Sequence, residues 1–428
     1  MARSVIWRNL AYTFVWQGTN YLVPLATVAY LARVLGPTGF GIVGFINAFA
    51  IYMVQLTNWG FMLSATREVA HVRDDPVALN EVFWNTLLAK LLLGMVTLAV
   101  LLLAAAAIPS LHPYLVLLLI GWVQVVGSII TADWFLQGLE LMPRFALAGI
   151  TGKLSGAVVI FAFVRHGDLG VAIAAQGIGM VSTGVFCLYL GLKTGVGWPR
   201  ALSIGRAWRR IKDGWEVFAS GASFALYSDM NVVALALFST PLEAGIFMGA
   251  DKLRNAVQRM ISPVSTVMYP RLSSMAAQRD PGFLPTVRTL FLFQGLGMGL
   301  LAAGLWFGAP TIIPLILGKG YAAAVPVLRL IAPVPCLAGF SNVLGVELML
   351  PLGLRSEFLT TIAAPAILSL AYTPLLAHFA GAAGVALGLL ITEILVLLLS
   401  LGMIWSRRNR IAGGIQPRSQ AVSTGLVH

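Results

Sequence analysis

Twelve apolar runs dominate this chain, and each is roughly 20 residues or longer, the length a helix needs to cross a bilayer's hydrocarbon. They fall at 10–33, 41–64, 84–108, 113–137, 144–164 and 170–191, then at 215–238, 244–270, 287–308, 322–349, 357–377 and 382–406. In lipid, every backbone polar group must find a partner within the protein, so these runs predict helices joined by short turns. Charge content agrees, since 10% of the 428 residues are charged against about 25% in soluble domains. The first run is too long for a signal-peptide core and lacks a small-residue cleavage site, so it is read as a span.

The loops joining odd to even spans are short and nearly free of Lys and Arg. The opposite loops carry Arg3, Arg8, Arg67, Arg73, Arg144, a cluster from Lys193 to Lys212, then Arg271, Arg279, Arg288, Arg355 and Arg407 onward. By the positive-inside rule both termini and the 193–212 stretch are expected in the cytoplasm, as befits a multi-pass protein of the bacterial inner membrane. The same asymmetry accounts for the net charge of +12, so nucleic acid is not expected as a partner. The tail after Arg410 has no apolar face and is expected to be disordered. Cys187 and Cys336 sit in apolar runs and predict neither a disulfide nor a metal site. The five histidines lie in loops or the tail without a ligand or catalytic arrangement.

The two halves resemble each other at a nearly constant offset. PTGFGIVG begins at Pro37 and PLEAGIFMG at Pro241, 204 positions later, and Gly41/Gly245, Ile42/Ile246 and Arg67/Arg271 keep that spacing. GLELM at 138–142 returns as GVELM at 345–349, an offset of 207. Six spans per half make the two lobes parallel repeats about an axis along the membrane normal, with the substrate expected between them. The resulting organisation is an N-terminal lobe over 1–192, a basic cytoplasmic linker over 193–213, a C-terminal lobe over 214–406 and a tail over 407–428. The expected fold is an all-α integral membrane protein, with about twelve transmembrane helices in two six-helix lobes around a central polar cavity.

One stretch says what that cavity presents. In DKLRNAVQRMISPVSTVM, from Asp251 to Met268, helical winding at about 100° per residue gathers the polar side chains on one side and the apolar ones on the other. Within membrane-like flanks, a charged half-face must point at protein or water. Pro263, at the seam between the faces, predicts a kink. Lys252, Arg254, Arg259, Asn255, Gln258 and Ser262 are therefore candidate substrate ligands, joined by Arg67 and Arg271 at equivalent positions of the repeat and by Arg33 at the end of span 1. On the 204 offset Asn47 matches Asp251, so span 2 echoes this face with neutral residues.

Carboxylates inside spans are expensive and mark coupling sites or ion pairs. Glu393, Asp229 and Asp251 are the candidates for proton or sodium coupling, with Arg329 a candidate partner for Glu393 or Asp229. Asp251 and Arg254 could also neutralise each other at i, i+3. Asp133 and Lys153 lie at similar depth on neighbouring spans, and a buried pair is the favoured reading. Glu140 and Glu347, in the repeated motif, are read as helix caps or anchors.

Several stretches carry a family resemblance: the opening NLAYTFVWQGTNYLVPLATVAYLARVLGPTGFG, GFMLSATREVA, DWFLQGLELMPRF, and AGIFMGADKLRNAVQRMISPVSTVMYPRLSSM. They resemble the Wzx (RfbX) polysaccharide and O-antigen flippases of the multidrug/oligosaccharidyl-lipid/polysaccharide exporter superfamily. The resemblance implies a transporter and not an enzyme, moving undecaprenyl-diphosphate-linked oligosaccharide between leaflets of the bilayer without a cofactor. It also implies a polysaccharide polymerase and chain-length machinery as partners. A drug/cation antiporter of the same superfamily predicts a carboxylate-rich cavity, a glycan polymerase or ligase a large periplasmic loop, and a lipid II flippase about two further spans.

Overall fold

The computed structural model describes residues 2–215, 218 and 230–407, with side chains from Leu22 onward. Asp229, much of the expected span 215–238 and the tail after Arg407 lie outside the described residues. Among the described residues there is no strand, and eight helices are long and apolar enough to cross a membrane.

Two of those helices are doubled by a single glycine. Helix α1 (Ala2–Asn58) breaks at Gly36, with φ 65° and ψ 176°, and the Arg355–Ser406 helix breaks at Gly381, with φ 51° and ψ −135°. The sequence predicts loops at LGPTG and AHFAG; one residue does each job, because glycine has no Cβ to oppose positive φ. Pro37 then opens the second half of α1 with its φ already set for a helix.

The chain divides into two compact units. The first comprises Met1–Lys252, Ile313–Ala324 and Thr373–Val385. It contains α1, α2 (Phe61–Val72), α3 (Pro76–Ala107), α4 (Leu115–Ile130), α5 (Asp133–Gly138), α6 (Met142–Phe163), α7 (Leu169–Gly191) and α8 (Ile204–Asp213). Helix α7 packs on α4 and α6, and α1 on α4. Small residues allow this approach, as small-residue seams do in membranes: a Cβ on Gly179 of α7 would stand 2.8 Å from the carbonyl oxygen of Gly152 on α6. At one end Phe83, Trp134, Phe135 and Leu136 form a fully buried cluster.

The basic linker is strapped to this unit. Buried Asn80 donates to the carbonyl of Trp198 at 2.9 Å and accepts from the Arg200 amide at 3.2 Å, while Asn85 donates to Ala201 and accepts from Ser203, each at 3.0 Å. Arg210 forks onto Glu68, and Arg206 pairs with Glu81 at 2.5 Å. Two arginines that the sequence assigns to orientation therefore also fasten α8.

The second unit comprises Leu253–Ile312, Val325–Tyr372 and Ala386–His428. Its core gathers Leu272, Phe283, Val287, Leu290, Val343 and Leu344. The amphipathic stretch from Asp251 to Met268 is not one helix: Pro241–Gln258 ends, and Ile261–Ala277 begins after a turn at Arg259 and Met260. The expected kink is displaced because a proline disrupts the bond to the carbonyl four residues earlier, and for Pro263 that carbonyl belongs to Arg259.

Repeated motifs diverge in backbone. GLELM forms a turn in which Glu140 takes φ 59° and lies 4.0 Å from Arg73. GVELM instead lies in a wide π-helical stretch, Val343–Met349, which turns Glu347 into the interior. The reading of Glu347 as an interfacial cap is thereby corrected, because the insertion of a π turn changes which face a residue occupies.

Candidate functional site: a polar cavity in the first unit

A cavity of about 480 Å³ opens among α1, α4, α6, α7 and the Pro241–Gln258 helix. Its polar wall consists of Thr27 and Asn47 from α1, Gln124 from α4, Lys153 from α6, Gln176 and Thr183 from α7, and Lys252. Glycines 149, 152 and 156 line it on one face of α6, and at Gly152 the missing Cβ lets that helix close onto Gly179 and Thr183 of α7.

Lys252 is exposed and makes no hydrogen bond or ion pair among the described residues. Gln124 is 8% exposed, and its Nε2 has no partner there. An unsatisfied buried amide costs about 1–3 kcal/mol, so Gln124 holds a donor ready for something polar in the cavity. With two ammonium groups, amides and hydroxyls on one wall, the cavity suits an anionic or hydroxyl-rich ligand.

The predicted ligands fall in separate places. Lys252 reaches this cavity, together with Asn47. Arg254 is 7% exposed and donates to Asn255 Oδ1 at 2.9 Å and to Gln258 Oε1, so three candidates form one bonded cluster. The partly buried Glu393 lies in electrostatic reach of Arg254. Arg329, the partner considered from sequence, donates to the Trp306 carbonyl at 3.3 Å. Arg259, Ser262, Arg67 and Arg271 are exposed, and Asp251 is partly buried. Arg33 caps the Phe283–Ile316 helix, donating from Nε to the Ile316 carbonyl at 3.0 Å and also to Leu315. A cation at carbonyls left open by a helix C-terminus is a structural arrangement.

Lys153 stands on the cavity wall, and Asp133 lies in electrostatic reach of the Lys90 ammonium. Lys90 is 1% exposed and donates to the Thr131 carbonyl at 2.8 Å. Sequence reasoning passed over Lys90, Gln124, Gln176 and the surroundings of Glu347. Glu347 Oε1 accepts from Ser265 at 3.0 Å and Gln294 at 3.4 Å, while its Oε2 has no partner among the described residues. Lone polar residues in apolar runs were the available signal.

The same unit holds a close contact between the repeats. Gly41 lies so near Pro241, and Gly245 so near Pro37, that a Cβ on either glycine would overlap the facing carbonyl oxygen. Beside it Tyr321 packs edge-on to Phe40, and burial pushes its phenol pKa above the usual range. The Glu243 carboxylate accepts from the Ala382 amide at 2.7 Å, capping the helix half that follows Gly381.

Broken helices, an internal repeat and a polar cavity define a multi-pass membrane transporter, and solved structures share the fold. A multidrug resistance MATE family transporter of the MOP superfamily, in an inward-facing conformation, aligns with a TM-score of 0.72 at 17% identity, covering 92% of this chain and 94% of that one. The lipid II flippase MurJ, in an inward closed conformation, aligns at 0.71 and 14% identity, covering 94% and 89%. Residues 6–276 match the model of a family described as polysaccharide biosynthesis protein. A putative O-antigen transporter of Escherichia coli (strain K12) is 33% identical over 406 residues, 94% of this chain and 97% of that protein. Another from Shigella dysenteriae is 28% identical over 398 residues, 92% and 98% of the two chains. The chain belongs to the polysaccharide biosynthesis protein family.

Proposed function

We propose that this protein is a flippase that carries undecaprenyl-diphosphate-linked oligosaccharide units from the cytoplasmic to the periplasmic leaflet for surface or exopolysaccharide synthesis. It does so with twelve spans in two lobes that alternate access, both termini facing the cytoplasm. The observation that carries the reading is the 33% identity to a putative O-antigen transporter along nearly the whole chain. Two lysines among amides and hydroxyls on the cavity wall support it, since a diphosphate requires cations and a sugar requires hydrogen-bond partners. A cationic drug would call for the reverse, and among the described residues that wall carries no carboxylate.

The Gly41–Gly245 contact supports a closed periplasmic end in this reading, and the cycle separates it to release the cargo. Proton or sodium flux through Glu393, with Asp229 and Asp251 as further carboxylates, supplies the coupling. Deleting the gene should accumulate lipid-linked units on the cytoplasmic leaflet and remove the surface polysaccharide, leaving sensitivity to cationic drugs unchanged. Normal polysaccharide with heightened drug sensitivity would replace this reading with antiport.

A further inference from the structure

An apolar groove runs along the outside of the first unit between α1 and α6. It encloses about 640 Å³ and is lined by Leu22, Val23, Ala26, Leu154, Val158 and Phe161, with Ala157 and Ala162 between them. Among the described residues no polar side chain lines it. Val23 and Ala157 also line the polar cavity, so the groove and the cavity share a wall. Val158 is 63% exposed, as a residue bordering lipid should be.

An apolar channel that adjoins two lysines and an unpartnered buried amide matches one kind of molecule, an amphiphile with a long hydrocarbon tail and an anionic, hydroxyl-bearing head. A neutral lipid has no need of the lysines and a soluble sugar has no need of the groove, while phosphatidylglycerol shares this chemistry and is the alternative the test distinguishes. We infer that the groove between α1 and α6 holds the first isoprene units of a polyprenyl diphosphate while Lys153, Lys252 and Gln124 face its head group. The assignment rests on the flippase reading and adds the route of the tail. The tail stays in hydrocarbon along α6, and only the head enters the polar space, so the hydrophobic cost of moving the whole lipid through water is avoided.

Native mass spectrometry of the full chain tests this, with undecaprenyl diphosphate as the long-tail probe, inorganic diphosphate, the head group without any isoprene unit, as the short one and phosphatidylglycerol as competitor. The parent should bind the long probe at least tenfold more tightly than the short one. Val158→Trp and Ala162→Trp, both on the lipid side, should each remove most of that tenfold difference and leave the short probe unaffected. Val185→Trp, lipid-facing on α7 and outside the groove, should retain it, and thermal unfolding should report all three as folded. Parent-like binding of the long probe by the two groove variants would overturn the route. A parent that prefers neither diphosphate over phosphatidylglycerol would overturn the flippase reading itself.

Discussion

Gly41 and Gly245, 204 residues apart, face each other in a reciprocal contact. A Cβ on Gly41 would stand 2.7 Å from the Gly245 nitrogen, and one on Gly245 would stand 3.0 Å from the Gly41 nitrogen. Each glycine also lies against the carbonyl of the proline that begins the other's helix half.

Gly41→Ala and Gly245→Ala should therefore behave alike. Either methyl overlaps backbone, which cannot rotate away as a side chain can, and overpacking of this kind costs about 1–3 kcal/mol. Export should fall at least tenfold in each variant while protein still inserts. Membrane-impermeant thiol labelling of Met248→Cys from the outer face should rise in both. Normal export and unchanged labelling in both variants would remove the contact from the transport cycle.

Arg254 and Arg259 should separate into different phenotypes. Arg254 is buried beside Glu393, and removing one member of such a pair leaves an uncompensated charge. Arg254→Gln should lower thermal stability and abundance, and the Arg254→Gln/Glu393→Gln pair should recover part of it, with a coupling energy of about 1 kcal/mol or more. Arg259→Gln should keep abundance and lose export, with Lys at that position restoring only part. Additive stability losses for the first pair, or full export by Arg259→Gln, would contradict these assignments.

At Gln124 stability and function should move in opposite directions. Replacing a buried amide that lacks a partner with Leu removes a desolvation penalty, a gain of up to about 1–3 kcal/mol. Export should nevertheless fall, because the donor is kept for the ligand. A purely structural Gln124 would show the opposite pattern, a less stable protein that exports normally.

Glu347 organises the second unit's polar cluster. Glu347→Ala leaves Ser265 and Gln294 without their acceptor, and detergent melting should register a loss of about 1–3 kcal/mol. Glu347→Gln keeps an oxygen for both donors and should melt close to the parent. In proteoliposomes with an imposed proton or sodium gradient, Glu393→Gln should lose the gradient's acceleration of transport. An unaltered response would place coupling away from Glu393.

What the sequence determined by itself is whatever follows from periodicity and length. Apolar runs long enough to span, the arginine asymmetry, the repeat anchored at Pro37 and Pro241, and the family motifs all come from local composition that the bilayer enforces on each segment separately. The polar face beginning at Asp251 was equally visible, since a helix wheel needs no neighbours. What it could not give is which polar residues share a space. Arg33 and Arg254 read as cavity cations, but folding sets one on a helix terminus and the other within a bonded cluster beside Glu393. Gln124 and Lys90 draw no reading from sequence and Glu347 reads as a cap or anchor, but folding buries each of them. Glu140 and Glu347 stand in one repeated motif and end in opposite environments, one at the surface and one inside. The physical reason is that burial and pairing depend on helices distant in the chain, brought together by packing of small residues whose reach no local pattern encodes. Tertiary structure alone therefore decided that Lys153, Lys252 and Gln124, far apart in the sequence, would line a single cavity.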